Sequence, residues 1–453
     1  MSISIPQETN YASIEKAKVV YRYRTLQPLA SVVLQTNAPV SAQFELPPIV
    51  YNLAKSRLEF NIVQPAGGEG LYNVIQGQSL APLLSCSVIT ENGVSLVDSS
   101  LSLQPFSKAV LPILTSDSDF NQMNPLASVG TTGFSKANSA VSAMDANSPL
   151  GVVYKPTVGS NPLVVNFSDI ENARVGAINT AQTTAYSIPL NMIKHSILSM
   201  PQDLYFGGLK LTLTFNFDAT NNYCFTAGDL NFNGATPLEA GAGSITGLSL
   251  RLAQEDNPEV SALLVQKVNS SGLKLAFPQV VESKWTTDAS ASASNVVHLN
   301  ISRGSKFLRA YSTQMTNIGT PAGAGRSAFW NNNNNASGLW TTVRDSVNNK
   351  YLQDITLSPA DAYKFTKDLL KGSCVQTYEQ WLNSACVYVQ DFSGFSGDEL
   401  DGRENNDCGL SLTQAVDYQV DWTKATQSQY HFIWCVCQKV LDIKAGTVNV
   451  SVM

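Results

Sequence analysis

Apolar and polar residues alternate one by one over much of this chain. VSAQFEL puts Val40, Ala42, Phe44 and Leu46 on one side, and SRLEFNIV does the same with Leu58, Phe60 and Ile62. In LKLTLTFNF, Leu209, Leu211, Leu213, Phe215 and Phe217 oppose Lys210, Thr212, Thr214 and Asn216. A period of two predicts strands with one face on a core. The same rhythm returns at Leu248, Leu250 and Leu252, in VVHLNIS, near KFLRAYS, and at Val416, Tyr418, Val420 and Trp422. ACVYVQDF, HFIWCVCQKVLDI and TVNVSV complete a C-terminal run of strands. Glu91-Asn92-Gly93 lies between two apolar segments and predicts a hairpin, because Asn-Gly suits a turn with positive φ.

Three helices interrupt this pattern. One is expected near Pro105–Leu114. A second has Asn257 as cap, Pro258 in the first position and Gly272 as its stop. A third opens at Ser358-Pro359-Ala360-Asp361, runs to about Gly372 and extends toward Leu382. Many short strands without regular helix alternation predict an all-β protein built of sandwiches. A chain of 453 residues exceeds one core, so two are expected. The predicted architecture is two tandem eight-stranded antiparallel jelly-roll sandwiches with a few short helices between strands. The expected division is an N-terminal arm at 1–28, a first jelly roll at 29–225, a Gly/Ala-rich linker at 226–244 and a second jelly roll at 245–453. No residue-level repeat relates the halves.

Composition narrows the function. Charged residues are 14% of the chain, against about 25% in ordinary domains. Such a surface suits a protein covered by neighbours, since ions are costly to desolvate inside interfaces. A net charge of −6 argues against wholesale nucleic-acid binding. Neither a basic-then-apolar leader nor a long apolar run is present, so no signal peptide or spanning helix is expected. The one basic stretch is the arm, where Lys16, Lys18, Arg22 and Arg24 interleave with Tyr21 and Tyr23. It reads either as an edge strand or as a contact with membrane, inner protein or genome.

Catalytic signatures are missing, so no catalytic, cofactor or metal residues are assigned. No Gly-Lys dipeptide exists for a phosphate loop, and His195, His298 and His431 lie far apart in sequence. Gly394-Phe395-Ser396-Gly397 falls one residue short of a nucleophile elbow. Asp398, Glu399, Asp401 and Glu404 have carboxylates that could hold calcium, but a solvated acidic loop fits better. The seven cysteines, including Cys435 and Cys437 on one strand face, read as buried thiols. Five Asn-x-Ser matches mean little without a secretion signal.

Residues 47–62 (PPIVYNLAKSRLEFNI) and 200–217 (MPQDLYFGGLKLTLTFNF) resemble early and closing strand regions of the first jelly roll in double jelly-roll major capsid proteins of icosahedral DNA viruses. The stretch DFSGFSGDELDGRENNDCGLSL from Asp391 is a looser match. The resemblance implies a non-enzymatic virion protein. It further implies homotrimers with a near-hexagonal outline, lateral contacts between capsomers, penton and minor capsid partners, and an internal membrane or genome beneath. The competing expectation is a carbohydrate-binding or adhesive sandwich, with Trp330 and Trp340 as exposed platforms.

Overall fold

The computed structural model describes residues 20–33, 38–64, 72–75, 80, 82–114, 182–219, 224–227, 239–240, 244–287, 294–301, 306–317, 330–331, 340–369, 378, 381–382, 386–393, 409–411, 414–424 and 429–451. The first half contains β1 (Tyr21–Leu26), β2 (Val40–Leu46), β3 (Tyr51–Gln64), β4 (Tyr72–Ile75), β5 (Leu83–Thr90) and β6 (Ser95–Val97). Helix α1 (Leu103–Leu114) follows, then β7 (Gln182–Pro189), β8 (Leu211–Phe217), β9 (Cys224–Ala227), β10 (Glu239–Ala240) and β11 (Ser244–Glu255). Helix α2 (Pro258–Ser271) leads to β12 (Leu273–Thr287), β13 (Ser294–Ile301), β14 (Lys306–Asn317), β15 (Trp330–Asn331), β16 (Trp340–Val347) and β17 (Lys350–Tyr351). After α3 (Pro359–Leu369) come β18 (Tyr388–Asp391), β19 (Leu410–Ser411), β20 (Val416–Lys424), β21 (Gln429–Lys444) and β22 (Thr447–Ser451).

Strands form where alternation predicted them, and also at β7, β12 and β16, where no strand was expected. β8 is buried at every odd position from Leu211 to Phe217, and Phe44 meets Phe215 edge-on at 6.0 Å. Each such phenylalanine contributes about 1.5–3 kcal/mol by leaving water. Gly93 has φ 83° in the predicted hairpin between β5 and β6. Asn348 and Asn349, both with positive φ, turn β16 into β17, since asparagine tolerates the left-handed region.

The sheets follow one rule twice. The first sandwich has sheets β1-β11-β3-β7 and β2-β8-β5-β6. The second has β12-β21-β14-β18, with β15 and β19 also pairing on β14 and β22 on β21, and β13-β20-β16-β17. Ranked by chain order within each sandwich, both read 1-8-3-6 and 2-7-4-5. That is the jelly-roll permutation, with every described pairing antiparallel. A small sheet, β10-β9-β4, flanks the first sandwich.

Two expected boundaries shift. Ser244–Glu255 was expected to open the second jelly roll, yet it pairs with β1 and β3 and is the eighth strand of the first. The switch between sandwiches is therefore α2, not the stretch 226–244, which instead includes β10. Period-two alternation marks a strand but not its partner, and glycine content proved a poorer boundary than pairing. Likewise Tyr21–Leu26, expected in the arm, is the edge strand β1. Lys55 and Arg57 lie over the Tyr21 and Tyr23 rings, so these tyrosines serve their own sandwich. Lys16 and Lys18 lie outside the described residues.

Chain entry and exit cluster at one end. The amide of Asp256 donates to Val20 O, that of Glu255 to Val50 O, and that of Glu91 to Lys210 O. The amide of Gly446, at the end of β21, donates to Gly207 O at 2.7 Å. This end carries α2. Among the described residues no helix is long and apolar enough to cross a membrane.

Candidate functional site

The densest chemistry lies along the seam between the sandwiches. β21 is buried on both faces from His431 to Gln438. Its odd side chains enter the second core, where His431 meets Trp422 edge-on. Its even side chains meet the first sandwich, and Trp434 packs edge-on against Phe106 of α1 at 5.6 Å. Glu282 on β12 joins both partners. Its carboxylate accepts from the Ser102 amide at 3.0 Å, the Ser102 hydroxyl at 2.7 Å and the Trp434 indole at 2.8 Å. Ser102 directly precedes α1, so this anion also meets the positive end of the helix dipole.

A second bridge lies deeper. His195, fully buried and held at φ 55°, places Nε2 2.8 Å from the Tyr311 hydroxyl, with the two rings stacked. Arg309 donates to that hydroxyl at 3.3 Å and to Asp391 at 2.8 Å, and Ser393 donates to the same carboxylate. Arg309 and Asp391 are both buried. A strained backbone and a buried ion pair are each costly alone, and they persist where packing over-determines them. At the entry end, Gly207 has φ +63°, and an added Cβ would lie 2.1 Å from Lys444 O, so only glycine lets the chains approach. Asn92 donates to Val448 O at 2.8 Å across the same junction.

The second core holds a polar cluster. Asp345 on β16 accepts from the hydroxyls of Tyr388 (3.1 Å, on β18) and Tyr418 (3.0 Å, on β20). Burial raises its carboxyl to about 6, against hydrogen bonds from Tyr418 and Tyr388 that pull it down. It thus ties the two sheets of one sandwich together.

The three histidines occupy three settings: His195 at the seam, His431 in the second core, and His298 on an outer face beside Asp417. Among the described residues no group of three or more His, Cys, Asp or Glu side chains could hold a metal. Cys86, Cys386, Cys435 and Cys437 are buried free thiols, and burial pushes each of them up. Residues 394–397 and the acidic loop 398–404 lie outside the described residues. Trp330 and Trp340, expected as exposed platforms, are only 8% and 1% exposed. Trp330 sits against Tyr430 and Phe432, and Trp340 against Trp422. The Asn-rich run beside Trp330 disguised a core residue. The seam itself was illegible, because Ser102 and Glu282 are 180 residues apart. A shallow cleft of about 140 Å³ lies by the C-terminal end of α2, with Lys267, Lys274, Asp442 and Lys444 on its walls. It is well below the ~300 Å³ of ordinary small-molecule sites.

Two sandwiches of one permutation, fused in tandem at a buried seam, define a double jelly roll. Solved structures share this fold over nearly the whole chain. The Sputnik virophage structure matches with TM-score 0.59 at 12% identity, covering 96% of this chain and 89% of that one. VP54 of PBCV-1 matches with TM-score 0.54 at 11% identity, covering 96% and 97%. The mavirus major capsid protein matches with TM-score 0.50 at 10% identity, covering 100% and 95%. The resemblance read from residues 47–62 and 200–217 is thus borne out as a fold. No protein-family model and no curated protein matches the sequence.

Proposed function

We infer that this chain is a major capsid protein, a non-enzymatic tile of an icosahedral virion shell. The observation that carries the reading is the duplicated permutation locked at one seam. A single chain then presents two equivalent units in fixed relation, and three chains present six. Such a trimer fills a near-hexagonal position with no further protein. Likeness to solved capsid subunits over nearly the full length supports the same role, and the low charged fraction suits extensive lateral contact. Penton and minor capsid proteins are the further partners this role requires, and the basic N-terminal arm, with Lys16 and Lys18, is the proposed contact with an inner membrane, protein or genome. The adhesive alternative loses its footing with Trp330 and Trp340 buried.

Sedimentation of the purified full chain tests the reading. A stable species of three 48.8 kDa chains, seen as a pseudo-hexagonal outline by negative stain, is expected. A monomer at all concentrations and salts, or an elongated rod, would defeat it.

A further inference from the structure

We propose that the cleft at the C-terminal end of α2 is an oxyanion site that takes one phosphate group, held by the ammonium groups of Lys267, Lys274 and Lys444. Its walls come from three elements. Lys267 and Ser271 stand on α2, Lys274 on β12, and Asp442 and Lys444 on β21. Register brings the strand residues together. Lys274 stands opposite Asp442, and Lys444 follows two places along on the same face of β21. Gly272 lies between helix and strands with φ +75°, and a Cβ there would lie 3.0 Å from Lys444 Cγ and 3.4 Å from its Cε. The Lys444 side chain is therefore laid against the end of α2. The site is open to solvent, with Ser271, Lys274 and Lys444 all exposed.

Three cations surround one anion. Lys444 Nζ is 3.7 Å from Asp442 Oδ2, a loose contact, and among the described residues Lys267 and Lys274 form no ion pair. A helix C-terminus adds roughly half a negative charge. Here its carbonyls are already engaged. The Gly272 amide donates to Val268 O at 3.1 Å, and the Ser270 and Ser271 hydroxyls donate to Lys267 O at 3.4 and 3.2 Å. The local balance is positive, in a chain whose net charge is −6. Ammonium groups gathered round one concavity repel each other, and an oxyanion relieves that repulsion while accepting charge-assisted hydrogen bonds.

Size and shape select the ligand. The cleft holds about 140 Å³, room for a few waters at ~30 Å³ each. A tetrahedral oxyanion fits there, and a nucleoside or a hexose does not. Lysines reaching in from three elements act as separate point charges, which suits the several oxygens of a phosphate. A planar carboxylate is better matched by the fork of an arginine, and no arginine lines the cleft. Free phosphate and the phosphomonoester headgroup of a lipid both carry this chemistry. The proposal does not rest on the shell reading, since an isolated chain would also bind.

Inorganic phosphate is the probe. Amide exchange of the full chain is read by mass spectrometry across 258–275, in phosphate and in chloride at matched ionic strength. At tenfold excess over Kd, a ligand held only by the closed helix end should slow exchange there about tenfold. Lys267→Gln and Lys274→Gln should each weaken binding about three- to tenfold, with exchange in chloride unchanged. Asp442→Asn should tighten it, because the one competing anion is gone. Flotation with phosphatidylcholine vesicles containing phosphatidic acid, blocked by free phosphate, would support the site with a lipid headgroup as its source. Protection by phosphate without flotation would support it with the free ion as its source. Four results would overturn the proposal: no protection in phosphate, equal protection in chloride, undiminished protection in both lysine variants, or loss of binding in Asp442→Asn, which would mark a cation site instead.

Discussion

The two sandwiches share every step of their strand order and little of their filling. The first core is aliphatic and phenylalanine-rich, with Leu46, Leu58, Leu211, Leu213 and Phe215 fully enclosed or nearly so. The second encloses Trp340, Trp381 and Trp422, together with Tyr418 and the Asp345 carboxylate. The permutation therefore does not depend on particular side chains. It depends on inward alternation and short turns, and either packing meets those demands. The second sandwich also lends the outer face of its β12-β21-β14 sheet to the seam. Its central strands are buried twice and tolerate less change than their counterparts in the first.

The sharpest way to break that asymmetry is Arg309→Ala. It leaves the buried Asp391 carboxylate without its guanidinium counter-charge, at a cost of about 3–5 kcal/mol. Urea unfolding of the full chain should show its cooperative transition losing that amount. Phe106→Ala removes the contact of α1 with Trp434 and should turn one cooperative transition into two. If Arg309→Ala costs less than about 1 kcal/mol, the seam is not the constraint described here.

The strands were legible because their evidence is local. β2, β8 and β20 show alternation within seven to nine residues, and α2 shows both its caps, Asn257 and Gly272. Pairing partners were not legible. Leu248, Leu250 and Leu252 would read the same in either sandwich, and only the register with β1 and β3 assigns them to the first. Exposure was not legible: Trp330 lies beside a polar run, yet it is buried, as is Trp340. Burial depends on what covers a residue from afar, and here it is α1 or a facing sheet that decides.

A second test separates the cores by pH. The folded state raises Asp345 to about 6, whereas an unfolded aspartate titrates near 3.9. Folding thus favours the proton. The resulting stabilisation is fully present below about pH 4 and is lost as pH rises through 6. Asp345→Asn cannot ionise and should be flat across that window. At pH 7.5 it should exceed the parent by up to about 3 kcal/mol, the equivalent of two pKa units, and near pH 4 it should match it. Denaturant midpoints of parent and variant from pH 4 to 8 read this directly. A variant that tracks the parent at every pH would mean that the two tyrosine hydroxyls offset the burial of the charge.

The smallest expected effect concerns the connector. α2 buries only Val268, so packing contributes little and its caps matter more. Asn257 accepts from the Glu259 amide at 2.9 Å, and Asn257→Ala removes that bond at a cost of about 1 kcal/mol. The helix should then open about fivefold more often, read as faster amide exchange across 258–271. The single unfolding transition should stay single, because the seam contacts at Glu282, Tyr311 and Gly207 hold the two sandwiches together independently of the connector. Asn257→Asp keeps an acceptor at the cap and should behave like the parent. If loosening α2 alone splits the unfolding into two transitions, then the connector rather than the seam fixes the relation of the two sandwiches.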